Sequence, residues 1–165
     1  MKEWLIRIVL FAALAALGVW AWTFFFPNPE KVIKKRLGEM AKAASFSSEQ
    51  GIVNQAWNAS SLAEYFTPDV EVLLNAPMVQ HTISGREELM EAAVGARRAV
   101  KGLKVAFPDI RVTLAPDKAS AEVYVTGEAR VAGEKDFFLQ ELRLRLVKVK
   151  RDWLIKRIET VKTLS

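Results

Sequence analysis

Residues 121–150 read AEVYVTGEARVAGEKDFFLQELRLRLVKVK. Ala121, Val123, Val125, Gly127, Ala129 and Val131 alternate with Glu122, Tyr124, Thr126, Glu128 and Arg130, the period-two pattern of a strand buried on one face. A second run of strand-like character extends from Asp136 to Lys150. If Gly133 and Glu134 form the turn between them, paired positions sum to 267. Val123 then lies opposite Leu144, Val125 opposite Leu142 and Ala129 opposite Phe138 on one face. Glu122 meets Arg145 and Tyr124 meets Arg143 on the other, an ion pair and a cation–π contact. Both faces agree, and an antiparallel hairpin is predicted.

A further strand follows, from Trp153 to about Thr163. With a turn centred on Arg151 the pairs sum to 302, which sets Leu144 against Ile158 and Leu142 against Thr160. Parity then divides the hairpin. Leu142, Leu144, Leu146 and Ile158 face inward, whereas Val147, Val149, Trp153 and Ile155 project from the opposite face unless a bulge near Leu146 turns them in. A regular ladder makes those four residues an exposed apolar patch, suited to a second copy or another protein partner.

Upstream lies a strand through Val105, Phe107, Ile110, Val112 and Leu114, with a phase change at Pro108 that implies a bulge or an edge. Before it, Ser84 and Glu87 form a capping box that opens a helix through Leu89, Met90, Ala93, Val94, Arg97 and Val100, closed by Gly102. Two short strands precede this helix, Val70–Leu74 and one through His81 and Ile83. Another capping box, Ser61 and Glu64, starts a short helix through Phe66. Residues 45–61 lack a clear pattern, and the glycosylation-type triplet Asn58-Ala-Ser60 is too short to carry weight. Earlier still, Asn28 and Pro29 begin an amphipathic helix. Its core side is Val32, Ile33, Leu37, Met40, Ala41 and Ala44, and Lys31, Lys34, Lys35 and Lys42 stay wet.

Residues 8–26, IVLFAALAALGVWAWTFFF, carry no charge and would span about 28 Å as a helix, close to the hydrocarbon thickness of a bilayer. Cleavage after Val19-Trp20-Ala21 would leave an apolar tail on the mature chain, so residues 1–27 are read as an uncleaved anchor. Trp20, Trp22 and Phe24–Phe26 suit an interfacial aromatic belt. Basic residues flank the segment on both sides. The short N-terminal tail favours a single-pass cell-membrane protein whose domain, residues 28–165, is extracytoplasmic, although the lysine count alone points the other way.

The 165 residues are 51% hydrophobic with a net charge of +5 and no cysteine. This excludes a disulfide scaffold, a thiolate zinc site and a cysteine nucleophile. No phosphate loop, nucleophile elbow or zinc spacing appears, so neither cofactor nor metal is expected. Arg143, Arg145, Lys148, Lys150, Arg151, Lys156, Arg157 and Lys162 crowd the last two strands. No aromatic platform interleaves them, and nucleic acid is not expected as a partner.

A long helix, a shorter helical region, a small hairpin, a third helix and four consecutive antiparallel strands form an order that resembles the nuclear transport factor 2-like superfamily, the SnoaL-like or ketosteroid-isomerase-like α+β cone. The resemblance covers residues 29–165. Its local matches are Phe66-Thr-Pro-Asp-Val-Glu-Val72 and Gly85-Arg-Glu-Glu-Leu89. It implies about three helices packed on a strongly bent, mainly antiparallel sheet, with an apolar pocket for which Tyr65, Val72, Leu74, Leu142 and Leu144 are the lining candidates. Enzymes of the superfamily place an aspartate base near the end of the first strand, a position that falls here on Leu74 or Asn75. Neither titrates usefully. The donor position on the penultimate strand falls among Leu142, Leu144 and Leu146, while Glu141 points outward. Dehydratases of this fold look to need two histidines, and the chain has one.

His81 is left as a weak candidate base, with Tyr65 or Tyr124 as partner. Asp69 and Glu71 could pair with Arg86 across the strand entry. The expected function is a membrane-tethered, non-catalytic binding or assembly module. The alternative is an enzyme or carrier for an apolar small molecule in the cone pocket.

Overall fold

The alternation that begins at Ala121 becomes a hairpin with its valines on the core side and its charges on the other. In the computed structural model, which describes residues 2–25, 28–47, 60–76 and 79–161, strand β5 (Ser120–Val131) pairs antiparallel with β6 (Phe137–Val149). The register is the one predicted, from Ser120 opposite Val147 to Ala129 opposite Phe138. Gly133 supplies the turn with φ of 91°, a conformation that glycine adopts without a Cβ clash.

The chain divides into two compact units, Met1–Val32 and Ile33–Ser165. In the first, α1 runs from Lys2 to Phe25. Its described side chains, residues 8–21, are exposed or half-buried. Among the described residues no helix is long and apolar enough to cross a membrane. The expected span over residues 8–26 is therefore not supported. The side chains of Trp22 and Phe24–Phe26, invoked for an aromatic belt, lie outside those described, as do Asn58 and Lys162. Helix α2 (Pro29–Ala44) starts as expected, with the Glu30 amide donating to Asn28 Oδ1 at 3.0 Å.

In the second unit the elements after α2 are β1 (Phe46–Ser47), a helical turn over residues 60–63, β2 (Phe66–Ala76), β3 (Val79–Ser84), α3 (Arg86–Ala99), β4 (Gly102–Leu114), β5, β6 and β7 (Asp152–Thr160). They form a mixed seven-stranded sheet in the order β1-β4-β5-β6-β7-β2-β3. All pairs are antiparallel except β2 with β7. This is an α+β architecture consistent with the cone.

Four expectations need correction. The turn at residues 60–63 does not continue to Phe66, because Phe66 is already opposite Ile155 in the sheet. Helix α3 is capped by Gly85, with φ of 90° and no side-chain cap, while Glu88 rather than Glu87 reaches back to accept from the Ser84 amide at 2.8 Å. Gly102 does not close that helix. It opens β4, where a Cβ would come within 3.1 Å of Ala132 and 3.2 Å of the Phe46 carbonyl.

The fourth correction concerns the last hairpin. Val149 pairs with Asp152 and Leu146 with Ile155, so Lys150 and Arg151 alone make the turn, with Lys150 at φ of 58°. The register returns to the 302 sum at Arg145 opposite Arg157, and the extra residue is absorbed between these pairs. Trp153 and Ile155 are consequently turned into the core, each 2% exposed. The patch of Val147, Val149, Trp153 and Ile155 is not assembled; only Val147, half-buried, and Val149, exposed, remain on the outer face. At Pro108 the bulge is present, between Ala106 and Asp109 of β4.

The registers generate rows that cross the sheet. Ile83, Val72, Ile158, Leu144, Val123 and Val112 lie side by side across six strands at the centre of the inner face, all buried except Ile158 and Val112, which are half-buried. Phe66, Ile155, Leu146 and Ala121 form a second buried row. Helix α2 buries Ile33, Leu37, Met40 and Ala41.

Candidate functional site

Beyond the central row the inner face opens. Leu74 stands opposite His81, and Leu142 stands between Val125 and Thr160. Leu74 is 37% exposed, Leu142 is half-buried and His81 is exposed, whereas Val72 and Leu144 one step back are buried. Further along β5 and β6, Gly127 leaves room for Phe107 and Leu142, and Phe138 reaches solvent opposite Ala129. Of the five pocket candidates, Val72, Leu74, Leu142 and Leu144 therefore share one face, two as sealed floor and two as its open margin.

Tyr65 is not with them. Its carbonyl accepts from the Ile155 amide at 2.8 Å, at the opposite end of β2 from Leu74. Nine residue steps separate the two, up to about 30 Å at 3.3 Å per step. The Arg36 guanidinium lies 5.0 Å from the Tyr65 ring centre, and burial, followed by the carboxylate of Glu39, pushes the Tyr65 hydroxyl up from its ordinary value. Tyr124 is on the other face, donating to Glu122 at 3.1 Å. Neither tyrosine can serve His81. Asn75 follows Leu74, and its side chain lies outside those described. The open margin thus joins aliphatic groups to one imidazole. It can seat an apolar surface, but among the described residues it brings no carboxylate to that imidazole.

The outer face has a different character. Glu71 of β2 accepts from Arg157 of β7 at 3.1 Å, Arg157 also donates to Glu159 at 2.5 Å, Glu159 accepts from Arg143 of β6, and Arg143 lies 3.7 Å from Glu122 of β5. Charges alternate across four strands. The hydrogen bond from Arg143 holds the Glu159 carboxyl below the usual range, against the upward pull of burial and with help from Arg157. The expected Glu122–Arg145 pair is replaced by Glu122 with Arg143, and Arg143 is an ion-pair partner rather than a cation over Tyr124. Asp69 pairs with Lys156 at 3.4 Å and Glu71 with Arg157, not with Arg86. Arg86 instead donates to the Phe66 carbonyl. Beside the ladder a depression of about 100 Å³ is lined by Asp109, Arg111, Tyr124, Thr126 and Glu141 among others. Asp109 and Arg111 pair there at 2.9 Å.

The same architecture occurs in solved structures. A protein of Novosphingobium aromaticivorans provisionally named a scytalone dehydratase is 20% identical, with 81% of this chain and 83% of that one covered and a TM-score of 0.62. An NTF2-like protein with a cystatin-like fold from the same organism is 16% identical, covering 92% and 86%, also at 0.62. Aln2 from a Streptomyces species is 14% identical, covering 83% and 93%, again at 0.62. At these identities the likeness is one of fold. No curated protein matches the chain. The SnoaL-like domain matches residues 39–159, from α2 to the end of β7, and the chain belongs to that family, within the nuclear transport factor 2-like fold.

Proposed function

We infer that this chain is a non-catalytic binding or assembly module of the SnoaL-like family, held at a membrane by α1. The observation that carries the first part is the pairing of Leu74 with His81. The position where the superfamily's isomerases hold their base falls on Leu74 or Asn75, neither of which titrates usefully, and the imidazole across from Leu74 has neither Tyr65 nor Tyr124 beside it. A general base needs a substrate proton within hydrogen-bond reach and a partner to fix its tautomer. The open apolar margin at Leu74, Leu142 and Phe138 supports docking of an apolar surface there. It equally suits an apolar small molecule, which is the second reading.

Membrane attachment is supported by the exposure of α1. Ile8, Val9, Leu10, Phe11, Leu14, Leu17, Val19 and Trp20 are 46–79% exposed. Leaving that much apolar surface in water costs on the order of 10 kcal/mol, a cost that lipid removes.

Two measurements test the reading. The full chain should show no isomerase, cyclase or dehydratase turnover on steroid or polyketide substrates; turnover abolished by His81→Ala would establish the enzymatic alternative. The chain should also stay in the pellet on alkaline carbonate extraction, and recovery of intact chain in the supernatant would remove the tether.

A further inference from the structure

Helix α2 is continuous from Pro29 to Ala44, and its two sides are chemically distinct. Ile33, Leu37, Met40 and Ala41 are buried, whereas Lys31, Lys34, Lys35 and Lys42 are exposed. Three of those lysines fall in the first two turns. Arg36, in the same stretch, is committed elsewhere: it donates to the Glu64 carbonyl at 3.1 Å, pairs with Asp152 at 3.4 Å and covers Tyr65. Lys35 has Glu39 at 3.8 Å, a pair in which the lysine side chain is 80% exposed. The charge on this side is carried by long side chains at the surface, where ion pairs are weak and readily exchanged.

Chain connectivity limits where these lysines can go. Lys31 follows Phe25, the last residue of α1, by six positions, at most about 20 Å of extended chain. With α1 in lipid, the first turns of α2 stay within about two screening lengths of the headgroups at physiological salt. The connection is short enough to let these lysines reach the headgroups, and a lysine within one screening length of an anionic surface is drawn to it by roughly fivefold.

We propose that Lys31, Lys34 and Lys35 form a docking surface for anionic phospholipid headgroups, so that the tether selects the lipid around it. The proposal rests on the membrane reading of α1, and the test separates the two. The full chain is reconstituted into vesicles of phosphatidylcholine alone and of phosphatidylcholine with phosphatidylglycerol, and amide hydrogen exchange is followed over residues 29–37. Exchange should slow several-fold in the anionic vesicles. It should return to the neutral-vesicle rate at high ionic strength and in the K31Q/K34Q/K35Q variant. Equal rates in the two vesicle types, or slowing that survives both salt and the triple substitution, overturn the docking surface. Equal slowing by dissolved glycerol phosphate with neutral vesicles overturns a lipid-surface origin and assigns the site to free phosphate. A chain that fails to float with neutral vesicles overturns the tether itself.

Discussion

Arg97 occupies the face of α3 that also carries Leu89, Met90, Ala93 and Val94, all half-buried. By periodicity it belongs to the apolar stripe, yet its guanidinium donates to the Ala43 carbonyl at 2.9 Å and lies 5.3 Å from the Phe46 ring centre. It therefore closes the C-terminal end of α2, where carbonyls lack helical partners, and it does so from a different helix. Arg97→Met keeps the stem and removes the donor; the expected cost is about 2 kcal/mol in chemical denaturation, and Arg97→Lys should recover part of it. At Glu159 the sign follows from a depressed carboxyl. Its contribution is present above the ordinary glutamate range near about 4.3 and is lost as pH falls through the lower folded value. The denaturation midpoint should fall on acidification, and Glu159→Gln should flatten that limb. A variant with an unchanged acid slope would show that Arg143 and Glu159 contribute nothing net. The Arg143–Glu159 pair was within reach of sequence reasoning, since the 302 sum sets these residues opposite one another. The Glu71–Arg157 bond was not, because it joins parallel strands far apart in the chain, and no local pattern encodes that neighbourhood.

Single elements were legible where alternation was uninterrupted. Strands β5 and β6 were readable because glycine marked the turn and both faces offered complementary residues, so a slip by one position would have exposed every valine. In β7 the alternation Trp153, Ile155 passes to Ile158 through Lys156 and Arg157, and the parity break alone could not say which side was core. The physical answer lies in the turn. Lys150 accepts a left-handed backbone, the hairpin tightens by one residue, and a bulge restores the register beyond it. Tryptophan thereby gains a buried site at the expense of one irregular position. Trp153→Ala should accordingly cost about 3–5 kcal/mol, the range for removing a large buried aromatic. Sedimentation at matched, folded concentrations should show no change in oligomeric state from this site. Dissociation of an assembly by Trp153→Ala, with unfolding midpoint preserved, would return the residue to the surface.

At the scale of the whole molecule, two chemically different bodies share one chain: an apolar helix and a charged α+β domain whose outer face pairs Arg143 and Arg157 with Glu122, Glu159 and Glu71. The domain's class followed from element order, and the β5-β6-β7 neighbourhood from local alternation, whereas the parallel pairing of β2 with β7 did not. The inner margin was only half readable, since Leu74 and Leu142 share it while Tyr65, near Leu74 in sequence, lies at the far end of an extended strand. The helix carries the remaining prediction. Leu14 and Leu17 are both well exposed on α1, near the middle of the uncharged run. An arginine at the centre of a lipid-embedded helix costs roughly 2.5–3.5 kcal/mol; on the proposed tether, Leu14→Arg with Leu17→Arg should therefore move most of the chain from the pellet to the supernatant on carbonate extraction. The thermal transition of the SnoaL-like domain should stay where it is, because its buried rows contain no residue of α1. A doubly substituted chain still retained in the pellet would mean that something other than the apolar helix holds the protein there. A lowered domain transition would mean that α1 packs on the domain in water and is shielded by protein, not by lipid.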